Sequence, residues 1–165
     1  MVVKRLYTAL AIGTLVFQTH TASAGTATTS FAVSATVINN CIVTATPLAF
    51  GSYDPTSTSN TPGTNTIGVT CTNANAYTVA LNGGTTSGGT ITQRKMTNGA
   101  SATLNYNIYQ DAGHSTLWGD GTTGSTLSAT GSGVLQNYTA YGLIPNSQST
   151  IAGSFTDTIT TTITF

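Results

Sequence analysis

Charge is nearly absent from this chain. Of 165 residues, four are Lys or Arg and four are Asp or Glu, so charged side chains make up 5%. Soluble domains usually carry about 25%. Glu does not occur, and the only basic pair beyond the first few residues is Arg94-Lys95, against Asp54, Asp111, Asp120 and Asp157. A nucleic-acid binder needs a basic footprint, so that class is excluded. A coiled coil or helical bundle needs Glu, Lys and Leu in quantity, and these are scarce. Apolar runs are also short. None beyond the N-terminal stretch approaches the roughly 20 residues of a membrane helix, so no integral membrane segment is expected after it. What the chain has is Thr, at 37 positions, with 18 Gly and 39% hydrophobic residues. That hydrophobic share excludes charge-driven disorder. A single Thr- and Gly-rich β domain remains.

The first residues read as an address. Lys4 and Arg5 precede a largely apolar stretch over residues 6–17, and Ala22-Ser23-Ala24 offers a small-x-small cleavage site. This predicts a secretory signal over residues 1–24 and an exported mature chain. Two cysteines, Cys41 and Cys71, in an exported chain predict one disulfide. It would close a loop of about 30 residues, worth roughly 3–4 kcal/mol by chain entropy. Two thiols and one mature histidine, His114, lack metal-ligand spacing, so neither a metal nor another cofactor is expected.

Period-2 alternation recurs along the chain. Phe31, Val33, Ala35 and Val37 share one face, with Ala32, Ser34 and Thr36 between them. Ile67, Val69 and Cys71 form a second set, and Tyr77, Val79 and Leu81 a third, closed by Asn82-Gly83-Gly84. A short run around Ile91 ends at Asn98-Gly99, and Leu104, Tyr106 and Ile108 end at Asp111-Ala112-Gly113. Residues 134–143 form a further candidate before Pro145-Asn146. Over residues 156–164 every even position is Thr, while Ile159 and Ile163 occupy odd positions, extended by Phe155 and Phe165. Such alternation between Gly, Asn and Asp turns is the signature of strands and hairpins. About seven strands predict a two-sheet sandwich. Residues 51–63 and 119–133 read as loops. No repeat of fixed period occurs.

Two features are unusual for a closed sandwich. An uncharged alternating segment precedes Cys41, and the sequence ends on an apolar strand at Phe165. A β protein with strands at both ends has two edges to protect. One solution is that the N-terminal strand pairs with another copy.

Several segments then carry a family resemblance. They are Phe31-x-Val33-x-Ala35-Thr36-Val37 before Cys41, Thr46-Pro47-Leu48-Ala49-Phe50-Gly51-Ser52-Tyr53-Asp54, Val69-Thr70-Cys71 and Tyr77-Thr78-Val79-Ala80-Leu81. Further on come Arg94-Lys95-Met96, Leu104-x-Tyr106-x-Ile108-Tyr109, Trp118-Gly119-Asp120-Gly121 and Tyr141-Gly142-Leu143-Ile144-Pro145. The last is Gly153-Ser154-Phe155-Thr156-Asp157-Thr158-Ile159-Thr160. In this order they resemble the spore coat protein U domain, the pilin domain of archaic, Csu-type chaperone–usher pili.

The resemblance implies an all-β, immunoglobulin-like sandwich that lacks its last strand and is completed by donor-strand complementation. It implies a donor segment over residues 25–37 and one pilin domain over residues 38–165. Phe31, Val33, Ala35 and Val37 would be the donated side chains, although Val37 also fits the first strand of the body. Ile159, Ile163 and Phe165 would face the acceptor groove from its edge. Cys41 and Cys71 would staple the first two strands. The implied partners are a periplasmic chaperone, an outer-membrane usher and neighbouring pilins. The implied course is through the periplasm of a Gram-negative bacterium to a surface pilus serving adhesion and biofilm formation.

Catalysis finds no support, and no enzyme is expected. No Gly-x-Ser-x-Gly elbow or phosphate loop occurs. Asp111, His114 and Ser115 are close in sequence, which rarely produces triad geometry. Asp54 and Asp120 precede Pro55 and Gly121, as turn residues do. Asp157 reads as a carboxylate that bonds a turn or marks a strand start. The competing reading is a self-contained secreted coat or carbohydrate-binding sandwich, with Trp118 as the sugar contact. Against it, Trp118 also reads as a cover for one end of the core.

Overall fold

The computed structural model describes residues 22–165, so the charged and apolar parts of the expected signal segment lie outside it. The chain divides between Ala35 and Thr36. In the first unit, residues 22–35 are exposed and form neither helix nor strand. The alternation at 31–37 thus marks a segment with strand chemistry but no ladder partner. A ladder, not a pattern, makes a strand.

The second unit contains eight strands. They are β1 (Cys41–Ala45), β2 (Thr61–Cys71), β3 (Ala76–Leu81), β4 (Arg94–Thr97), β5 (Thr103–Tyr109), β6 (Leu127–Thr130), β7 (Gln136–Ile144) and β8 (Thr161–Thr164). They form one sheet in the order β1-β2-β7-β5-β4 and another in the order β6-β3-β8. All pairings between named strands are antiparallel. The result is an immunoglobulin-like β-sandwich, as expected, and no helix occurs among the described residues.

The core follows the alternation. Ile67, Val69 and Cys71 from β2, Tyr77, Val79 and Leu81 from β3, and Leu104, Tyr106 and Ile108 from β5 are all buried. Each large side chain so placed contributes about 1.5–3 kcal/mol. A one-residue slip would turn each set outward, so burial itself holds the register. The Cys41–Cys71 disulfide forms between directly paired residues of β1 and β2.

The boundaries differ from expectation where glycine misleads. β2 starts at Thr61, inside the stretch read as a loop, because Gly63 is a packing residue. Gly63 pairs with Gly142 of β7. A Cβ on Gly63 would come within 2.9 Å of Phe50, and one on Gly142 within 2.7 Å of Phe50 and 2.8 Å of Leu48. The two glycines therefore let the segment after β1 lie against the sheet. Gly142→Ala is expected to cost about 1–3 kcal/mol through overpacking, read as a lower denaturation midpoint. β6 also lies within a stretch read as a loop, since its four residues are half-buried at best. The run around Ile91 yields a strand only from Arg94 onward.

β8 is shorter than the Thr alternation suggests. Thr156 bridges Thr97 of β4, on the edge of one sheet, whereas Thr161 to Thr164 pair with β3 of the other. The C-terminal segment crosses between sheets, and neither ladder is continuous through the crossing.

Candidate functional site

β1 and β8 are outer strands of the two sheets and lie beside each other. β8 has a ladder to β3 on one side and none on the other among the described residues. Next to these edges an apolar cleft of about 260 Å³ opens into the core. One wall is Ala45, Thr46 and Leu48; the other is Phe155, Asp157, Ile159 and Thr161; Ile67, Leu81, Tyr106 and Ile108 also line it. A second cavity of about 600 Å³ shares Leu48, Met96 and Phe155 with the first and extends between residues 48–53 and 150–155.

The alternation in residues 155–163 builds one wall. Phe155, Asp157, Ile159, Thr161 and Ile163 are half-buried, while the Thr residues at 156, 158, 160, 162 and 164 are exposed. Ile159 lines the cleft, and Ile163 packs on the core opposite Val79. Phe165 does not join them. It is 53% exposed and lines a separate depression with Tyr77 and Ala129. Phe31 and Val33 are each 85% exposed and Val37 is 84% exposed. Ala35 is exposed as well.

One polar group belongs to the cleft. Asp157 Oδ1 accepts the backbone N–H groups of Thr85 at 2.9 Å and Thr86 at 3.0 Å, together with both threonine hydroxyls. Its Oδ2 accepts the Tyr106 hydroxyl at 2.7 Å. Burial pushes the Asp157 carboxyl up, but the bonds from Tyr106, Thr85, Thr158 and Thr86 outweigh it and hold the pKa below the usual range. Burial first, then the bond to Asp157, raise the Tyr106 hydroxyl, so it stays a donor. Gly84, at φ +91°, makes room, since a Cβ there would overlap Asp157 Oδ2. The turn-bonding reading of Asp157 is thus what the structure contains. Its reach to Tyr106 joins residues 51 apart, which local spacing does not reveal.

Arg94 is fully buried. Its Nε donates to the Asn82 carbonyl at 2.9 Å and its Nη2 to the Trp118 carbonyl at 2.8 Å, while Nη1 has no partner among the described residues. Desolvation lowers its pKa, opposed by the nearby Tyr106, Asp157 and Tyr109.

The sugar-contact reading of Trp118 does not survive. Its side chain is 0% exposed and its Nε1 donates to the Val79 carbonyl at 3.0 Å, so no ring face is free to stack. It fills the core instead. Trp118→Ala is expected to cost about 3–5 kcal/mol, measured as a lost unfolding midpoint, with no loss of glycan retention. Nor do Asp111, His114 and Ser115 make a triad. Ser115 Oγ bonds Asp111, and the His114 ring sits edge-on to Tyr109 at 5.3 Å. Asp54 and Asp120 accept backbone N–H groups two and three residues ahead, as turn residues. No group of three or more metal-ligating side chains occurs among the described residues. No helix there is long and apolar enough to cross a membrane.

A two-sheet sandwich whose last strand has an open side next to a cleft, and whose first two strands are cross-linked, is an immunoglobulin-like domain. The sequence matches the Spore Coat Protein U domain over residues 27–162, and the chain belongs to that family. It is 33% identical over 128 residues to Protein U of Myxococcus xanthus, covering 72% of this chain and 71% of that one. It is also similar to a chain of the CsuC–CsuE complex, a chaperone–tip adhesion subunit pre-assembly complex from the archaic chaperone–usher Csu pili of Acinetobacter baumannii. That match has a TM-score of 0.59 and 27% identity, and covers 79% of this chain but 40% of the other. Family membership makes this a structural protein and not an enzyme.

Proposed function

We propose that the chain is a structural subunit of an extracellular pilus, assembled by the chaperone–usher pathway through donor-strand exchange and supporting adhesion and biofilm formation. The observation that carries this reading is the unladdered side of β8 beside an apolar cleft, in a chain that also carries an exposed alternating segment. Similarity to a chain of the Csu complex supports it.

In this reading Phe31, Val33, Ala35 and Val37 of one subunit enter the cleft of the next. Backbone bonds to the β8 edge give affinity and alternate side chains fill the cavities. Ile159 and Ile163 lie at the accepting edge. The contact is head-to-tail and does not close, so it propagates as a filament. In the periplasm a chaperone supplies the strand, and an outer-membrane usher catalyses its replacement by a neighbouring subunit.

The test is an unboiled SDS gel of the protein co-expressed with its chaperone and usher. A strand seated in a buried groove leaves slowly, so a ladder of multimers that collapses on boiling is expected. A single monomer band with and without heat would overturn the reading.

A further inference from the structure

We infer that Asp157 and Tyr106 are positioning residues that set the width of the cleft for strand capture. This rests on the proposed strand exchange but names residues that the exchange itself does not require. Tyr106 stands between the two walls. Its hydroxyl bonds Asp157 on the C-terminal wall, and its ring meets Phe50 edge-to-face at a centroid distance of 5.8 Å. Phe50 belongs to the opposite side, where it covers Gly63 and Gly142. Phe50, Tyr106 and Asp157 therefore link the segment after Leu48, at the second cavity, to the C-terminal wall of the cleft.

Asp157 also ties its wall to the turn at Thr85 and Thr86. This tie sits where the C-terminal segment has left β4 and not yet reached β3. Thr156 is bonded to Thr97 on one side and Thr160 to Asn82 on the other; between these two anchors the carboxylate is the tie that joins the wall to the Thr85–Thr86 turn and to Tyr106. Without it the wall can close over the apolar cleft, which lowers the exposed apolar area and the readiness to accept a strand.

The experiment uses the full mature chain, refolded with an excess of a labelled synthetic peptide covering residues 25–40. Capture is read as an SDS-resistant complex, and folding as the emission of Trp118, the single tryptophan. Tyr106→Phe and Asp157→Asn are each expected to slow capture about tenfold per folded molecule, the scale of one charge-assisted hydrogen bond. The double variant should be no slower than Asp157→Asn alone, because that change already removes the charged acceptor of the Tyr106 hydroxyl. A purely structural role would lower the folded fraction and leave the rate per folded molecule unchanged.

The unaltered chain provides a second readout. The groups facing Asp157 are Tyr106 from β5 and Arg94 from β4, with uncharged Thr85 and Thr86, and none of these titrates in acid. Capture should persist through the ordinary carboxylate range near pH 4 and fall below it, with an acid limb that Asp157→Asn removes. Wild-type rates in Tyr106→Phe, or an acid limb kept by Asp157→Asn, would overturn this inference alone. No peptide capture by the unaltered chain would overturn the strand-exchange reading and this inference with it.

Discussion

Phe31→Asp is expected to abolish the multimer ladder while leaving the body folded. Phe31 and Val33 are each 85% exposed, so neither contributes appreciably to the stability of its own chain. Once donated, each large side chain gains about 1.5–3 kcal/mol from burial. Phe31, Val33 and Val37 together then supply roughly 5–9 kcal/mol before ordering costs, with Ala35 adding little. An Asp in place of Phe31 removes the largest share and carries a charge into an apolar cleft, which costs several kcal/mol more. Exchange then becomes unfavourable. The same variant keeps an intact cleft, so it should still accept a strand from an unaltered chain. Mixed with unaltered subunits, it should shorten fibres in proportion to its share. Unchanged fibre yield from Phe31→Asp alone would contradict the assignment of the donor segment. Native Trp118 emission in the variant would show that the loss lies in assembly and not in folding.

Removing the disulfide should substantially destabilise the body itself. Cys41 and Cys71 are 30 residues apart, and a loop of that size corresponds to roughly 3–4 kcal/mol of stabilisation by chain entropy. The position adds to this. β1 is an outer strand with one ladder, to β2, and it lies beside the cleft. With Cys41→Ser and Cys71→Ser together, β1 should fray first. The measurements are a denaturant midpoint and amide exchange along β1. A loss below about 1 kcal/mol would mean that β1 is held by its ladder alone.

Legibility in the sequence followed the periodicity. β3 and β5 are plain in the sequence because their inward residues are large and their turns are rich in Gly, Asn and Asp. β2 extends further than its alternation predicts because Gly63 has the chemistry of a turn and the function of a spacer under Phe50. β6 was hidden because only Leu127 and Ala129 mark its inner face. The Thr alternation over 156–164 gave the correct inward face yet not the change of sheet within it, since a bridge to β4 and a ladder to β3 both suit alternating residues. At the site, Ile159 was legible as a cleft residue. Leu48 and Phe50 were visible only as parts of a family motif, without a role. The Tyr106–Asp157 bond was not legible at all, because it joins distant positions through side chains. Trp118 was ambiguous between surface and core, and its buried N–H bond to Val79 decides for the core.

The placement of Cys41 has a mechanical consequence for a fibre built as proposed. Tension along such a fibre would enter each subunit through its donated segment and reach the body at the start of β1. An outer strand loaded at its end peels one hydrogen-bonded pair at a time, the weakest way to load a ladder. Here the first residue of β1 is covalently joined to Cys71, the last residue of β2. The pull is thereby shunted past β1 into an eleven-residue strand bonded on both sides, by β1 and β7. The body then yields under load only when a central strand is sheared, and under reducing conditions the same fibre would yield at β1.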